Sequence, residues 1–221
     1  MKQTLRDNRY FLYFFLCWLL LAGYFLLTLD KGDAIIFFSQ NHSTFLNQFF
    51  IFATQLGEEG IYIFTILGCL FIRFRYSFLF LLTGGLVAIL SFLAKSFFKY
   101  DRPFTFFDKQ NLLEKLDFID GIYILKGATS FPSGHTMSAF AVYGLIFLLL
   151  PVAYKKWGAL PLLLLAVLVA NSRVYLVHHF LMDVYLGSIL GLLVAWFVYY
   201  FQRKIPVREG KGWDRNLRQF F

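Results

Sequence analysis

YFLYFFLCWLLLAGYFLLTL, residues 10–29, runs for 20 residues without a charge. At 1.5 Å per residue that is the length a helix needs to cross a hydrocarbon core of about 30 Å. Its basic start would suit a signal peptide, but no small-residue cleavage site follows, so it reads as an uncleaved anchor. The rest of the chain is of the same kind. Of 221 residues, 59% are hydrophobic, 21% aromatic and only 15% charged. A soluble domain carries about 45–50% apolar and about 25% charged residues. This composition excludes a solvated enzyme, a disordered chain and a disulfide scaffold. The two cysteines, Cys17 and Cys69, lie inside apolar runs and read as buried thiols.

Working outward, residues 76–94, 136–154 and 184–202 form further clear spans, and 60–72 and 157–172 shorter ones. Residues 33–57 are apolar only in patches and read as an interfacial helix. The expectation is a single all-α domain over 1–221 with six transmembrane helices, an interfacial helix and a capping loop. With both termini in the cytoplasm, the inner segments hold 13 basic and three acidic residues. The stated net charge of +8 then splits into +10 inside and −2 outside, as the positive-inside rule requires. The excess charge therefore sets topology and does not call for a nucleic-acid partner. The basic tail after Gln202 is expected on the anionic inner leaflet.

This topology brings three polar clusters to the outer face: KSFFKYDRP (95–103), FPSGH (131–135) and SRVYLVHHFLMD (172–183). Lys95, Arg102 and Arg173 are three cations able to surround one anion. Ser133 and Gly134 stand where the fourth span begins, and free N–H groups at a helix N-terminus suit phosphate. His179 and Asp183 are four apart, so on a helix they share a face. The carboxylate can then fix the imidazole tautomer and leave its other nitrogen free to attack. His135 is a second imidazole, placed to protonate a leaving group. A phosphate cage, a nucleophile with an orienting acid and a general acid together describe phosphoryl transfer. No carboxylate cluster or Cys/His spacing suggests a metal.

These residues resemble the integral-membrane branch of the type 2 phosphatidic acid phosphatase superfamily, whose motifs are KxxxxxxRP, PSGH and SRxxxxxHxxxD. Lys95 with Arg102-Pro103, then Pro132-Ser133-Gly134-His135, then Ser172-Arg173 with His179 and Asp183, fill all eleven fixed positions in order. At average residue frequencies near 5%, chance agreement is on the order of 10⁻¹⁴. The resemblance implies that His179 forms a phosphohistidine, Asp183 orients it and His135 serves as general acid. Lys95, Arg102, Ser133, Gly134 and Arg173 would hold the phosphoryl oxygens, with no metal or cofactor. It also implies a phosphorylated lipid as substrate: undecaprenyl diphosphate, phosphatidylglycerophosphate, phosphatidate or a lipid A phosphate. The compact size and basic inner face favour the first two and a bacterial inner membrane, with the site on the periplasmic side. No obligate protein partner is evident. The nearest alternative is transfer of the phosphoryl group to another lipid. A non-catalytic lipid-binding or transport protein is a further one, to which the attacking histidine and general acid are superfluous.

Neighbouring residues have blander readings. His178 is five from Asp183, off its helical face, and His42 is a loop histidine. Lys99 and Asp101 occupy variable positions. Phe104, Phe106, Phe107 and Phe131 suit either an interfacial belt or a wall for lipid chains. Tyr123, Asp108, Glu114, Asp117 and Asp120 lie in a 104–130 loop expected to cap the site.

Overall fold

The computed structural model describes residues 6–205 and 212–220, and among these it is helical, without strands. Lys2, Arg208, Glu209 and Lys211, counted above with the inner charges, lie outside the described residues. Nine α-helices have their bounds among the described residues: α1 Arg9–Thr28, α2 Asp33–Gln40, α3 Thr44–Gln55, α4 Glu59–Leu70 and α5 Phe74–Phe98 come first. Then come α6 Pro103–Lys109, α7 Gly134–Leu149, α8 Val152–Tyr175 and α9 Leu181–Gln202.

Among the described residues, four helical segments are long and apolar enough to cross a membrane: α1, α5 with its continuation to Lys109, α8 and α9. The outward faces carry bare hydrocarbon, with Leu27 90% exposed and Phe64 78% exposed. Such a surface is stable in lipid and not in water. The expected six spans are not reproduced by length and composition. The single interfacial helix over 33–57 resolves into α2 and α3, and α3 pairs with α4 across a 52° bend to make a fifth candidate. Residues 60–72 are therefore half of a bent pair. Ser43 caps α3, its hydroxyl accepting from the Leu46 N–H at 3.3 Å.

α7 is the remaining piece. It has 16 residues, about 24 Å of helix, and twelve of them are buried. It is the centre of the bundle, packed by α5, α8 and α9. Close approach is set by Gly191 of α9, where a Cβ would stand 2.3 Å from the Met137 carbonyl oxygen. The break after α7 also moves two expected boundaries. Leu150 and Pro151 turn extended, and α8 starts at Val152, so its two lysines, Lys155 and Lys156, are its fourth and fifth residues. Lys155, which marked a span end in the sequence, is buried at 4% exposure. Its ammonium donates to the Asn8 carboxamide oxygen at 2.5 Å and the Leu148 carbonyl at 3.1 Å.

One further expectation changes, and the tail gains a contact. Cys17 is exposed on the outer surface of α1, while Cys69 is buried, and both thiols are free. An apolar neighbourhood in sequence says nothing of which side of a helix faces the bundle. The described part of the tail lies on its own chain: Trp213 stacks edge-on to Phe78 and Asp214 pairs with Arg73 at 3.0 Å.

Candidate active site

One end of the bundle collects the C-terminus of α5, the N-terminus of α7, the C-terminus of α8 and the N-terminus of α9. The eight residues singled out in the sequence stand on these four termini and the short segments beside them. α8 ends at Tyr175, and Val177 takes a left-handed φ of 57° that breaks the helix. The His178 and His179 N–H groups both donate to the Arg173 carbonyl, at 3.0 and 3.1 Å. His179 therefore sits in a tight loop, not on a helix with Asp183.

The pairing of these two residues survives by another route. Asp183 lies in the first turn of α9, and its Oδ2 accepts the Phe180 N–H at 2.9 Å and the Ser130 hydroxyl at 2.5 Å. The His179 Nδ1 approaches the same oxygen at 3.4 Å. On the other side of the ring, the Arg102 guanidinium stands 3.3 Å from Nε2. His179 is 2% exposed. Burial, then the charges of Arg102, Arg173 and Lys95, hold its pKa well below the ordinary histidine value. At neutral pH the ring is uncharged, with its Nδ1 proton toward the carboxylate and Nε2 carrying a lone pair.

The cations are placed around this ring. The Arg102 Nη1 also donates to the His178 carbonyl at 3.1 Å, and Nε donates to the Thr129 hydroxyl at 3.3 Å. The Arg173 Nη1 donates to the Thr54 hydroxyl of α3 at 2.5 Å. Its Nε is buried with no hydrogen-bond partner among the described residues, a donor open to an anion. The Lys95 ammonium reaches the start of α7, 3.6 Å from where a Gly134 side chain would begin. Ser133 caps α7, its hydroxyl accepting from the Thr136 N–H at 3.4 Å and hydroxyl at 2.9 Å. The Ser133 N–H donates to the Asp183 carbonyl at 3.1 Å, which locks α7 to α9 at the site.

His135 projects from the first turn of α7 with its Nε2 3.5 Å from the Glu58 carboxylate, and its side chain is 32% exposed. Glu58 sits at the bend between α3 and α4. A Cβ on the neighbouring Gly57 would meet Val169 at 2.4 Å and the His135 carbonyl at 3.0 Å, so only glycine lets the bend approach α7. A cavity of about 660 Å³ reaches His135 from the side, walled by α4, α5 and α7.

Ser130, Thr129, Thr54 and Glu58 all touch the site, and sequence reasoning did not single them out. Ser130 lies just before the second motif, a proximity signal that spacing alone could have used. Thr54 and Glu58 come from a distant helix pair, and nothing local marks them.

The flanking residues divide. The His178 Nε2 meets the Tyr123 carbonyl at 3.1 Å, which ties the 104–130 loop to the site. That loop is tied again where the Arg102 N–H donates to the Gly127 carbonyl at 2.8 Å. Burial pushes the His178 pKa down to about 3, aided by Arg173. His42 packs on the Tyr175 ring at 4.8 Å. Phe107 and Phe131 are buried in packing, with Phe131 against Phe98 and Tyr100, while Phe104 and Phe106 are half-buried. Lys109 pairs with Asp101 at 2.7 Å on the surface.

Comparison with known proteins gives this geometry its context. The sequence profile of the PAP2 superfamily matches residues 76–206. Phosphatidylglycerophosphatase B of Bacillus subtilis is 41% identical over 97 residues, 41% of this chain and 42% of that protein. The bacitracin transport permease protein BcrC of Bacillus licheniformis is 42% identical over 34% of this chain and 35% of its own length. The matched segments thus span less than half of these curated relatives. Among solved structures, a transmembrane PAP2-type phosphatidylglycerolphosphate phosphatase from Bacillus subtilis superposes with a TM-score of 0.65 at 29% identity. That match covers 90% of this chain and 98% of the other. LpxE of Aquifex aeolicus superposes with a TM-score of 0.61 at 22% identity, over 77% and 94% of the two chains. With its profile match spanning most of the bundle, the three motifs included from Lys95 to Asp183, this chain belongs to the PAP2 superfamily.

Proposed function

We propose that the chain is a membrane lipid phosphatase that works through a phosphohistidine on His179, without a metal. The observation that carries this reading is the buried, neutral His179 ring, with Asp183 on one nitrogen and the Arg102 guanidinium beside the other. In the first step Nε2 attacks phosphorus and the bond from phosphorus to the lipid oxygen breaks. His135 gives its proton to that oxygen, and the imidazolium left on His179 is stabilised by Asp183. In the second step water attacks the phosphohistidine, His135 takes a proton from the water, and inorganic phosphate leaves. Lys95, Arg102, Arg173, Ser133 and the Gly134 N–H hold the phosphoryl oxygens, so side chains supply the charge stabilisation.

The substrate class is a phosphomonoester or diphosphate of a lipid. Two observations support it: the named functions of the relatives, phosphatidylglycerophosphatase B and a phosphatidylglycerolphosphate phosphatase, and the cavity that reaches His135 from the flank of the bundle. The loop charges support termini in the cytoplasm and the site on the outer face of the bacterial inner membrane. A purely binding or transporting role does not need His179, Asp183 and His135 so arranged.

The test is phosphate release in detergent from phosphatidylglycerophosphate, undecaprenyl diphosphate, phosphatidate and a lipid A phosphate, with and without EDTA. Turnover that persists in EDTA, and falls by about 10⁴-fold or more in His179→Ala, is the expected result. Loss of turnover on chelation overturns the metal-free step, and full activity in His179→Ala moves the nucleophile elsewhere.

A further inference from the structure

The opposite end of the bundle holds a second polar cavity, of about 640 Å³. It is formed by the start of α1, the start of α5, the α7–α8 turn and the end of α9, and its volume is in the range of ligand sites. Arg75, Lys155 and Arg203 line it, with Asp7 as the acidic residue on its wall. The Lys155 ammonium is hydrogen-bonded to neutral oxygens, those of Asn8 and Leu148. Asp214 lies nearer Arg73, at 3.0 Å, than Arg75, at 3.6 Å. Three cations and one carboxylate line the cavity, so by count its wall is positive, with Arg75 also within ion-pair reach of Asp214.

Two buried polar atoms here have no hydrogen-bond partner among the described residues: the Arg75 Nε donor and the Gln202 carboxamide oxygen. Native proteins rarely leave such atoms unmatched, and both side chains face one cavity. A donor set of cations asks for an anion, and a lone acceptor asks for a hydroxyl or N–H. Leu148, Leu149 and Tyr199 supply an apolar wall beside these groups. Basic pockets between membrane helices at a bilayer surface suit anionic headgroups.

We propose that this cavity binds a phosphoglycerol group, the headgroup of an anionic phospholipid, with phosphate on Arg75, Lys155 and Arg203 and a glycerol hydroxyl on Gln202. The site is separate from the candidate active site and does not rest on the phosphatase reading.

The experiment is native mass spectrometry of the full chain in mild detergent doped with phosphatidylglycerol or phosphatidylcholine. Free sn-glycerol 3-phosphate is tested in parallel by thermal shift. Retained phosphatidylglycerol should exceed phosphatidylcholine by about tenfold: both carry the phosphate, but only phosphatidylglycerol offers a hydroxyl to Gln202 and brings no choline cation against the arginines. The Arg75→Gln/Arg203→Gln protein should lose that excess, while Lys95→Ala, altered at the other end, should keep it. Gln202→Leu leaves every cation in place and serves if the double variant does not fold. It should lower phosphatidylglycerol retention several-fold and, in a His179→Ala background that spares phosphatidate from turnover, leave phosphatidate retention unchanged. A thermal shift by glycerol 3-phosphate that disappears in the same variants assigns the site to a free phosphoglycerol. Equal retention of both lipids with no such shift overturns the proposal. So does retention lost in Lys95→Ala but kept in the distal variants.

Discussion

His179 is held neutral by burial and three cations, and that has a measurable consequence for turnover. The acid limb of the activity profile should lie below the ordinary histidine value of about 6.5, because the nucleophile keeps its lone pair well into acid. A limb at 6.5 or above in a pH series would contradict the assignment. Glu58 makes a second prediction at this scale. Its carboxylate stands at ion-pair distance from His135, so Glu58→Gln should loosen the imidazole's orientation. Turnover of an alkyl lipid phosphate should fall by roughly three- to tenfold, and that of an activated aryl phosphate much less, since a good leaving group needs no acid. Equal loss on both substrates would assign Glu58 to folding. Motif spacing made the convergence of the eight candidate residues legible, because their types and intervals follow a pattern that the fold brings to one end of the bundle. Glu58, Thr54 and Ser130 were not legible. Their contacts are made by tertiary packing, which a single sequence does not record.

Among elements, the loop between α8 and α9, with Val177 in the left-handed region, and the close contact of α7 with α9 at Gly191 assemble the site. His178 is buried in that loop with its pKa near 3, against about 6.5 in an unfolded chain. Below pH 6.5 the unfolded chain binds a proton that the folded one refuses. Stability should therefore fall as pH drops from about 6.5 toward 3, by up to about 1.4 kcal/mol per pH unit for this group, and hold steady above that range. Melting temperatures in detergent between pH 5 and 8 check this, and His178→Asn should reduce the slope, leaving the part that the likewise depressed His179 supplies. At the helix contact, Gly191→Ala places a methyl against the Met137 carbonyl and should destabilise by about 1–3 kcal/mol or more. Gly85→Ala, with open space around the new methyl, is the control. Element positions were largely readable from hydropathy, since apolar runs of 20 residues have few other fates. Errors gathered where charge and burial part company. Lys155 looked like a span boundary and is buried inside a helix turn, and the apolar patches of 33–57 hid a bend whose purpose is to reach His135.

For the whole molecule, sidedness has a direct test. In a Cys17→Ser, Cys69→Ser background, cysteines placed at Glu114 and at Trp213 sit at opposite ends of the bundle. An impermeant maleimide applied to intact cells should label the position at Glu114 and spare that at Trp213. The reverse pattern would invert the topology and place the site in the cytoplasm. The bundle itself is built around α7, and this arrangement bears on how the protein is made. A segment wrapped on every side by its own chain gains nothing from affinity for lipid, and at 16 residues it is short for the membrane it sits in. Its insertion must then be underwritten by partners still to be synthesised, α8 and α9 among them. The residues that open the site, from Ser133 onward, thus reach their final depth only when the last helix has emerged from the ribosome. Assembly of the site waits on α9, and a product truncated before Leu181 would lack Asp183 and the wall that α9 gives α7.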